Sequence, residues 1–349
     1  MKLQPAAQNL IEWVGLRLGL IPTPLAWSHF GFMASKFLLE AVDKGVLEAI
    51  GHNTVSIEAI ASSCQLSLSA TKSLLGVLAT MGLLKEKNGA IFLSPPAKKW
   101  LLKDSPHSLY WLLIFDNRVC LKWMDHTGTF LQTGKGLQYH DTFTTEEWYY
   151  YQKAMESVAK TTAFEAAKKL PIPSGATKML DIGGAHGLYS VALCRRHASL
   201  SSTITDLPSA VEQAKPILEQ YNMADRIIHL AGNVLTDDLG TNEYDYILMA
   251  SVAHHFTDEE NKLVAQKAYK ALKPGGVFTI MEVLKQDKIV YNGDMLSALG
   301  DLFFALSSTS GTWSLQQIKS WQTAAGFQFY KKHRFISIPG YVGVSGRKG

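Results

Sequence analysis

The sequence predicts an α/β chain in which a doubly wound, mostly parallel sheet fills the second half and a mostly α-helical, winged-helix-like domain precedes it. Three observations predict it. Lys178-Met179-Leu180-Asp181-Ile182 reads as a buried strand that runs into the small-residue turn Gly183-Gly184-Ala185-His186-Gly187 and then an apolar helix. After it, short apolar runs alternate with helical patterns, the signature of parallel strands joined by crossover helices. The first half instead carries apolar residues at helical spacing. At 349 residues the chain suits two domains, placed at 1–105 and 106–349, with 106–170 as a helical connector.

In the first domain, Leu38, Leu39, Ala41, Val42, Val46, Leu47 and Ile50 recur at helical spacing from Phe30 to Ile50. Ser56 caps the next helix, and Ser67 or Ser69 caps another that Gly82 ends. Residues 83–93 read as a hairpin turning at Asn88-Gly89. Helix, helix and hairpin describe a winged helix, which raises nucleic-acid binding. The second helix carries Lys72 as its single basic residue, too little charge for phosphate neutralisation.

The connector is rich in aromatic residues, among them Trp111, Phe115, Trp123, Phe130, Trp148 and Tyr149, which suit a core or a pocket wall. Residues 294–304 would face it. In the second domain, strand Lys178–Ile182 meets its glycine turn, where Gly frees the backbone and the following helix offers N–H groups. A dinucleotide turn needs glycine at three places that here hold Gly183, Ala185 and Leu188, so that cofactor class fails. A second strand ends at Asp206, about twenty residues past the turn, where a carboxylate can take two ribose hydroxyls. Leu207-Pro208 opens a helix. Strand Ile227–Ala231 leads to Gly232-Asn233-Val234, and strand Tyr244–Met249 leads to His254-His255. A helix from Asp258 to Leu272, the turn Lys273–Gly276 and strand Val277–Met281, ending at Glu282, complete the alternation.

Composition agrees. Hydrophobic content of 47% supports large cores, and the net charge of +4 is mild, its basic residues dispersed apart from the run Lys331-Lys332-His333-Arg334, which reads as a solvated surface. Three cysteines with no C-x-x-C pair fit a reducing, cytoplasmic setting and no disulfide framework. Glu12, Arg17, Pro22 and Pro24 interrupt the apolar N-terminal stretch, so neither a signal peptide nor a membrane span is expected.

The segments 181–187, Thr205-Asp206-Leu207-Pro208, Gly232-Asn233, Ala253-His254-His255-Phe256-Thr257-Asp258-Glu259 and Lys273-Pro274-Gly275-Gly276 stand in an order that resembles the small-molecule O-methyltransferases. That family includes plant caffeate and flavonoid enzymes and bacterial enzymes that tailor antibiotics and pigments. The resemblance covers nearly the whole chain. It implies a Rossmann-like catalytic domain that binds S-adenosylmethionine (SAM) and releases S-adenosylhomocysteine, and an N-terminal domain that pairs two subunits. It implies cofactor contacts from Asp181, Gly183, Gly184, Gly187, Asp206, Leu207, Gly232, Asn233 and Val234, and no metal. His254 would be the general base and Glu282 its support, acting on a hydroxyl of a small aromatic or polycyclic acceptor. Phe115, Asn117, Met155, His255 and Thr312 would contact that acceptor.

The departures bear on the reaction. The family's second acidic support lies in a G-x-E-R-T-like segment that here reads Gly311-Thr312-Trp313-Ser314, so the base would lose one carboxylate. Ala185 replaces a glycine and is expected to fit a right-handed turn; Asn233 replaces an aspartate but keeps an accepting oxygen. These changes keep alternatives open: transfer to carbon or nitrogen, or a SAM-binding relative that transfers no methyl group. A winged-helix nucleic-acid-binding regulator is the remaining class. His254-His255 lacks neighbouring ligands at chelating spacing, which disfavours a metal-dependent catechol-type transferase.

Overall fold

The computed structural model of the chain describes residues 5–285, 294–338 and 340–349. It divides into two compact units, with the boundary between Leu121 and Lys122. The N-terminal unit contains α1 (Leu10–Arg17), α2 (Thr23–Leu25), α3 (Gly31–Asp43), α4 (Val46–Ile50), α5 (Ile57–Ser63), α6 (Leu68–Thr80), β1 (Leu84–Lys87), β2 (Ala90–Leu93), α7 (Pro95–Leu101) and α8 (Tyr110–Phe115). The single helix read over 30–50 is broken: Gly45, at φ 74°, ends α3 and reorients α4 so that Val46, Leu47 and Ile50 are all buried. The Ser56 hydroxyl caps α5 by accepting from the Ala59 N–H. Ser67 stands at the N-cap of α6, but its hydroxyl pairs with Ser69 and caps nothing. Asn88 and Gly89, both at positive φ, turn the β1–β2 hairpin, and Val55 bridges to Ile91 beside it.

The C-terminal unit holds α9 (Leu121–Met124, starting at the boundary), α10 (Thr127–Thr133), α11 (Thr145–Lys169), β3 (Lys178–Ile182), α12 (Leu188–Arg196), β4 (Ser201–Asp206), α13 (Pro208–Glu219), β5 (Ile227–Ala231), β6 (Tyr244–Ala250), α14 (Asp258–Ala271), β7 (Leu272–Val283), α15 (Met295–Ser307), α16 (Leu315–Ala325), β8 (Gln328–Arg334) and β9 (Tyr341–Arg347). Its seven strands lie in the order β5-β4-β3-β6-β7-β9-β8, parallel through β7 and antiparallel at β9 and β8. The chain winds outward from β3 through β4 to β5, then returns to the other side with β6. The strand order therefore reverses beside the carboxyl end of β3, where an open α/β sheet forms its crevice.

Both sheet faces are covered, as strand patterning requires. In β6, Tyr246 and Leu248 pack against α11 and α12, while Ile247 and Met249 pack against α14 and α16. Capping boxes start α11 (Thr144 with Glu147), α14 (Thr257 with Glu260) and α16 (Ser314 with Gln317). The Lys273–Gly276 turn is absorbed into a longer β7, whose register with β6 shifts between Tyr244 and Tyr246; Gly275 adopts φ 79°. No described helix is long and apolar enough to cross a membrane.

Candidate active site

The carboxyl ends of β3, β4, β5 and β6 surround a cavity of about 530 Å³. From the β3 turn, Gly183 and Ala185 line it; from β4 come Asp206 and Leu207; Gly232, Asn233 and Val234 follow β5, and His255 follows β6. Asp181, Gly184 and Gly187 stand behind the wall. A methyl group added at Gly184 would lie 2.7 Å from the Asp181 carboxyl carbon, one at Gly187 2.8 Å from Ile204, and one at Gly183 2.6 Å from Val252. These glycines let the turn close onto its own strand. Ala185 is left-handed, at φ 46°, and not the right-handed turn residue expected. Its N–H donates to Asp206 and its carbonyl lies 2.8 Å from Nε2 of His229, bonds that hold the strained residue in place.

Asp206 accepts from the N–H groups of Ala185 and Leu207 at 2.8 Å each. A carboxylate has about four acceptor positions, which leaves room for a ribose diol. Burial pushes its pKa up to about 6 against those two bonds. Asp181 is buried, accepts from Ser190 through one oxygen, and keeps the other without a partner among the described residues; burial pushes it up to about 7. The Asn233 side-chain oxygen accepts from the Leu235 N–H, leaving one lone pair and the amide hydrogens. An open crevice, a carboxylate at the β4 tip and an amide at the β5 tip fit a nucleoside, and the glycine turn after β3 lacks the three-glycine pattern of a dinucleotide phosphate cradle.

Beyond β6, Ser251 is also left-handed, at φ 57°, and its hydroxyl pairs with Tyr341. A short 3₁₀ turn, Ala253–His255, then carries the two histidines. Asn261 and the Trp313 indole both donate to the Ala253 carbonyl, and Ser308 and Ser310 donate to the His254 carbonyl. His254 is buried, with Nδ1 2.9 Å from Oε2 of Glu282 and its ring stacked on Phe304 at 4.0 Å. The carboxylate fixes the hydrogen on Nδ1 and frees Nε2 to accept. His255, its ring 4.1 Å from that of His254, is the one of the pair that lines the cavity. Burial, with His254 and His140 beside it, holds its imidazole well below the usual range.

Thr312 is buried and donates both its N–H and its hydroxyl to Asp301, which also pairs with Lys285. Met155 lies half-buried on α11, outside the cavity wall. Phe115 is buried within the N-terminal unit, and there the Asn117 amide joins Lys36, Glu40 and Asp43. Sequence reasoning missed Tyr139, His140, Tyr151 and Gln152 as cavity residues, and it left Trp148 among connector aromatics. Their signal was weak, because nothing local tells a cavity-facing aromatic from a core one.

Residues 126–328 match the O-methyltransferase domain, and residues 27–104 match the O-methyltransferase dimerisation domain. The chain belongs to the O-methyltransferase family and is a SAM-dependent enzyme. It is 26% identical to an L-tyrosine C(3)-methyltransferase of Streptomyces lavendulae, over 91% of this chain and 90% of that protein. It is 23% identical to a 3-hydroxy-5-methyl-1-naphthoate 3-O-methyltransferase of Streptomyces sahachiroi, over 93% and 94%. Its fold is shared with human N-acetylserotonin methyltransferase in complex with SAM, at a TM-score of 0.83 and 20% identity over 99% of both chains.

Proposed function

We propose that this enzyme methylates a hydroxyl of a small aromatic or polycyclic acceptor of the secondary-metabolite kind, with His254 as general base. The observation that carries the reading is the buried His254–Glu282 pair at 2.9 Å, directly behind His255, which lines the same cavity as Asp206 and Asn233. SAM, when bound, supplies the methyl group as a sulfonium electrophile. The protein's own task is alignment, exclusion of water and removal of one proton. Asp206 would accept the ribose hydroxyls, and Asn233, Val234 and Leu207 would border the adenine. Nε2 of His254 would take the acceptor's hydroxyl proton as the methyl passes from sulfur to that oxygen, the methyl–sulfur bond breaking to leave S-adenosylhomocysteine, and the Glu282 carboxylate would stabilise the resulting imidazolium. Of the residues expected at the acceptor, His255 lines the cavity and keeps that assignment; Thr312 is taken up by Asp301, Met155 lies off the wall, and Phe115 and Asn117 belong to the N-terminal unit.

Residues 1–105 are assigned to subunit pairing and 106–349 to chemistry; of the connector, residues between Gln138 and Gln152 line the cavity. The exposed Leu10, Ile11, Trp13, Leu18, Leu20, Phe30 and Phe32 supply an apolar face for a homodimer. Lys72 as the one basic residue on α6 argues against nucleic acid, and three unbridged thiols suit the cytoplasm.

The test is incubation with SAM and a panel of phenols, followed by mass spectrometry for one added methyl group and for S-adenosylhomocysteine. Turnover without methyl gain would overturn the reading. Because one relative is named a C(3)-methyltransferase, the product's methyl must also be located by NMR. A phenol deprotonated by the same base can react at its ortho carbon, and an aryl C–CH₃ signal would replace O-methylation.

A further inference from the structure

Gln152 sits in the cavity wall on α11, one turn beyond Trp148, and is fully buried. Neither its amide oxygen nor its amide nitrogen has a hydrogen-bond partner among the described residues. An unpaired amide so placed is costly, and such groups persist where a ligand completes them. The same wall carries a row of rings: Trp148 stacks on His140 at 5.3 Å and 7°, and His140 lies 4.4 Å from His255, which is 4.1 Å from His254. Gln152 therefore belongs to the side of the cavity that leads to the base. Burial, with His254 nearby, holds the His140 imidazole uncharged down to about 3. The described residues that line the cavity include no Lys or Arg, while Asp141, Asp206 and Glu260 do line it. An acceptor carrying a carboxylate would meet no cation there, whereas a primary amide matches a neutral edge that offers one donor beside one acceptor.

We infer that Gln152, with His140 beside it, is a specificity-determining residue that reads a neutral carboxamide-like edge next to the hydroxyl to be methylated. The inference rests on the acceptor reading above. It places the acceptor among hydroxylated aromatic amides and lactams, in preference to hydroxy acids and simple phenols.

The probes are salicylamide, phenol and salicylate, titrated by calorimetry into the enzyme saturated with S-adenosylhomocysteine. Wild type is expected to bind salicylamide about tenfold or more tighter than either of the others. Gln152→Leu, or Gln152→Met should the leucine variant fail to fold, is expected to shrink that gap to about twofold. Both variants remove an orphaned buried amide, so their melting temperatures should equal or exceed that of wild type. His140→Phe keeps the ring stack but loses the ring nitrogens, and should narrow the gap in part. No preference in wild type, or a preference that survives both Gln152 variants, would overturn the inference. So would weaker S-adenosylhomocysteine binding in those variants, which would make Gln152 a cofactor contact. A clear salicylamide preference with no methyl transferred from SAM would instead leave the inference standing and remove the methylation reading.

Discussion

At the scale of single residues, Asp206 is expected to act in opposite directions on ligand and fold. Its carboxyl is raised from 3.8 to about 6, so the folded enzyme takes up a proton there before the unfolded chain does. The resulting stabilisation is full below pH 3.8 and lost as pH rises through about 6. Ribose recognition needs the ionised form, so S-adenosylhomocysteine affinity should fall as pH drops through about 6, and Asp206→Ala should weaken it by about 1–3 kcal/mol at neutral pH. Calorimetry across pH checks both; a flat profile would remove Asp206 from the site. At the base, His254→Ala should slow the chemical step by about 10²–10⁴ while S-adenosylhomocysteine still binds. Glu282→Gln should slow it less, since a hydrogen-bond partner remains while the charge is lost. Single-turnover kinetics separates these effects, and an undiminished His254→Ala rate would end the base assignment. Ala185 holds a left-handed conformation that glycine adopts without strain, so Ala185→Gly should stabilise the fold by about 1 kcal/mol in urea titrations. If stability falls, the His229 and Asp206 bonds hold that turn without strain.

At the scale of elements, the turn that carries His254 is held by what packs around it. Trp313, in the place of the family's arginine, donates to the Ala253 carbonyl, and the T-shaped Trp313–Trp321 contact ties the turn to α16. Trp321 is fully buried in the helical layer and donates its indole hydrogen to Asp258. Trp321→Ala should therefore cost about 3–5 kcal/mol and loosen the histidine turn. Chemical denaturation reads the first effect and loss of turnover below the midpoint the second; a cost under about 1 kcal/mol would show that α16 can collapse into the space. The Gly311–Ser314 segment, which lacks the expected acid, borrows one from α15: Asp301 accepts both Thr312 donors. A carboxylate introduced at Thr312 would face Asp301, an arrangement invisible from the segment itself.

At the scale of the whole molecule, the apolar residues on the first helices predict a homodimer, and light scattering that returns a monomer mass at micromolar concentration would refute it. The alternation of β3 to β7 with helices, the glycine turn, Asp206 at one strand tip, Glu282 at another and His254 after a third were legible in the sequence, whereas the antiparallel β8 and β9 and the order of strands across the sheet were not. Each is a local pattern of periodicity and turn chemistry, and strand alternation then orders the tips along one edge of a parallel sheet. Tertiary structure alone decided the rest. It placed Tyr139 and His140 against His255, more than a hundred residues away. It kept His254 behind His255, forced Ala185 and Ser251 into left-handed backbone, and buried Gln152 without a partner. The placements of His140 and Gln152 depend on which face of α11 meets which loop, and a helix that reads as aromatic core along its own length carries no local mark of the cavity it will wall.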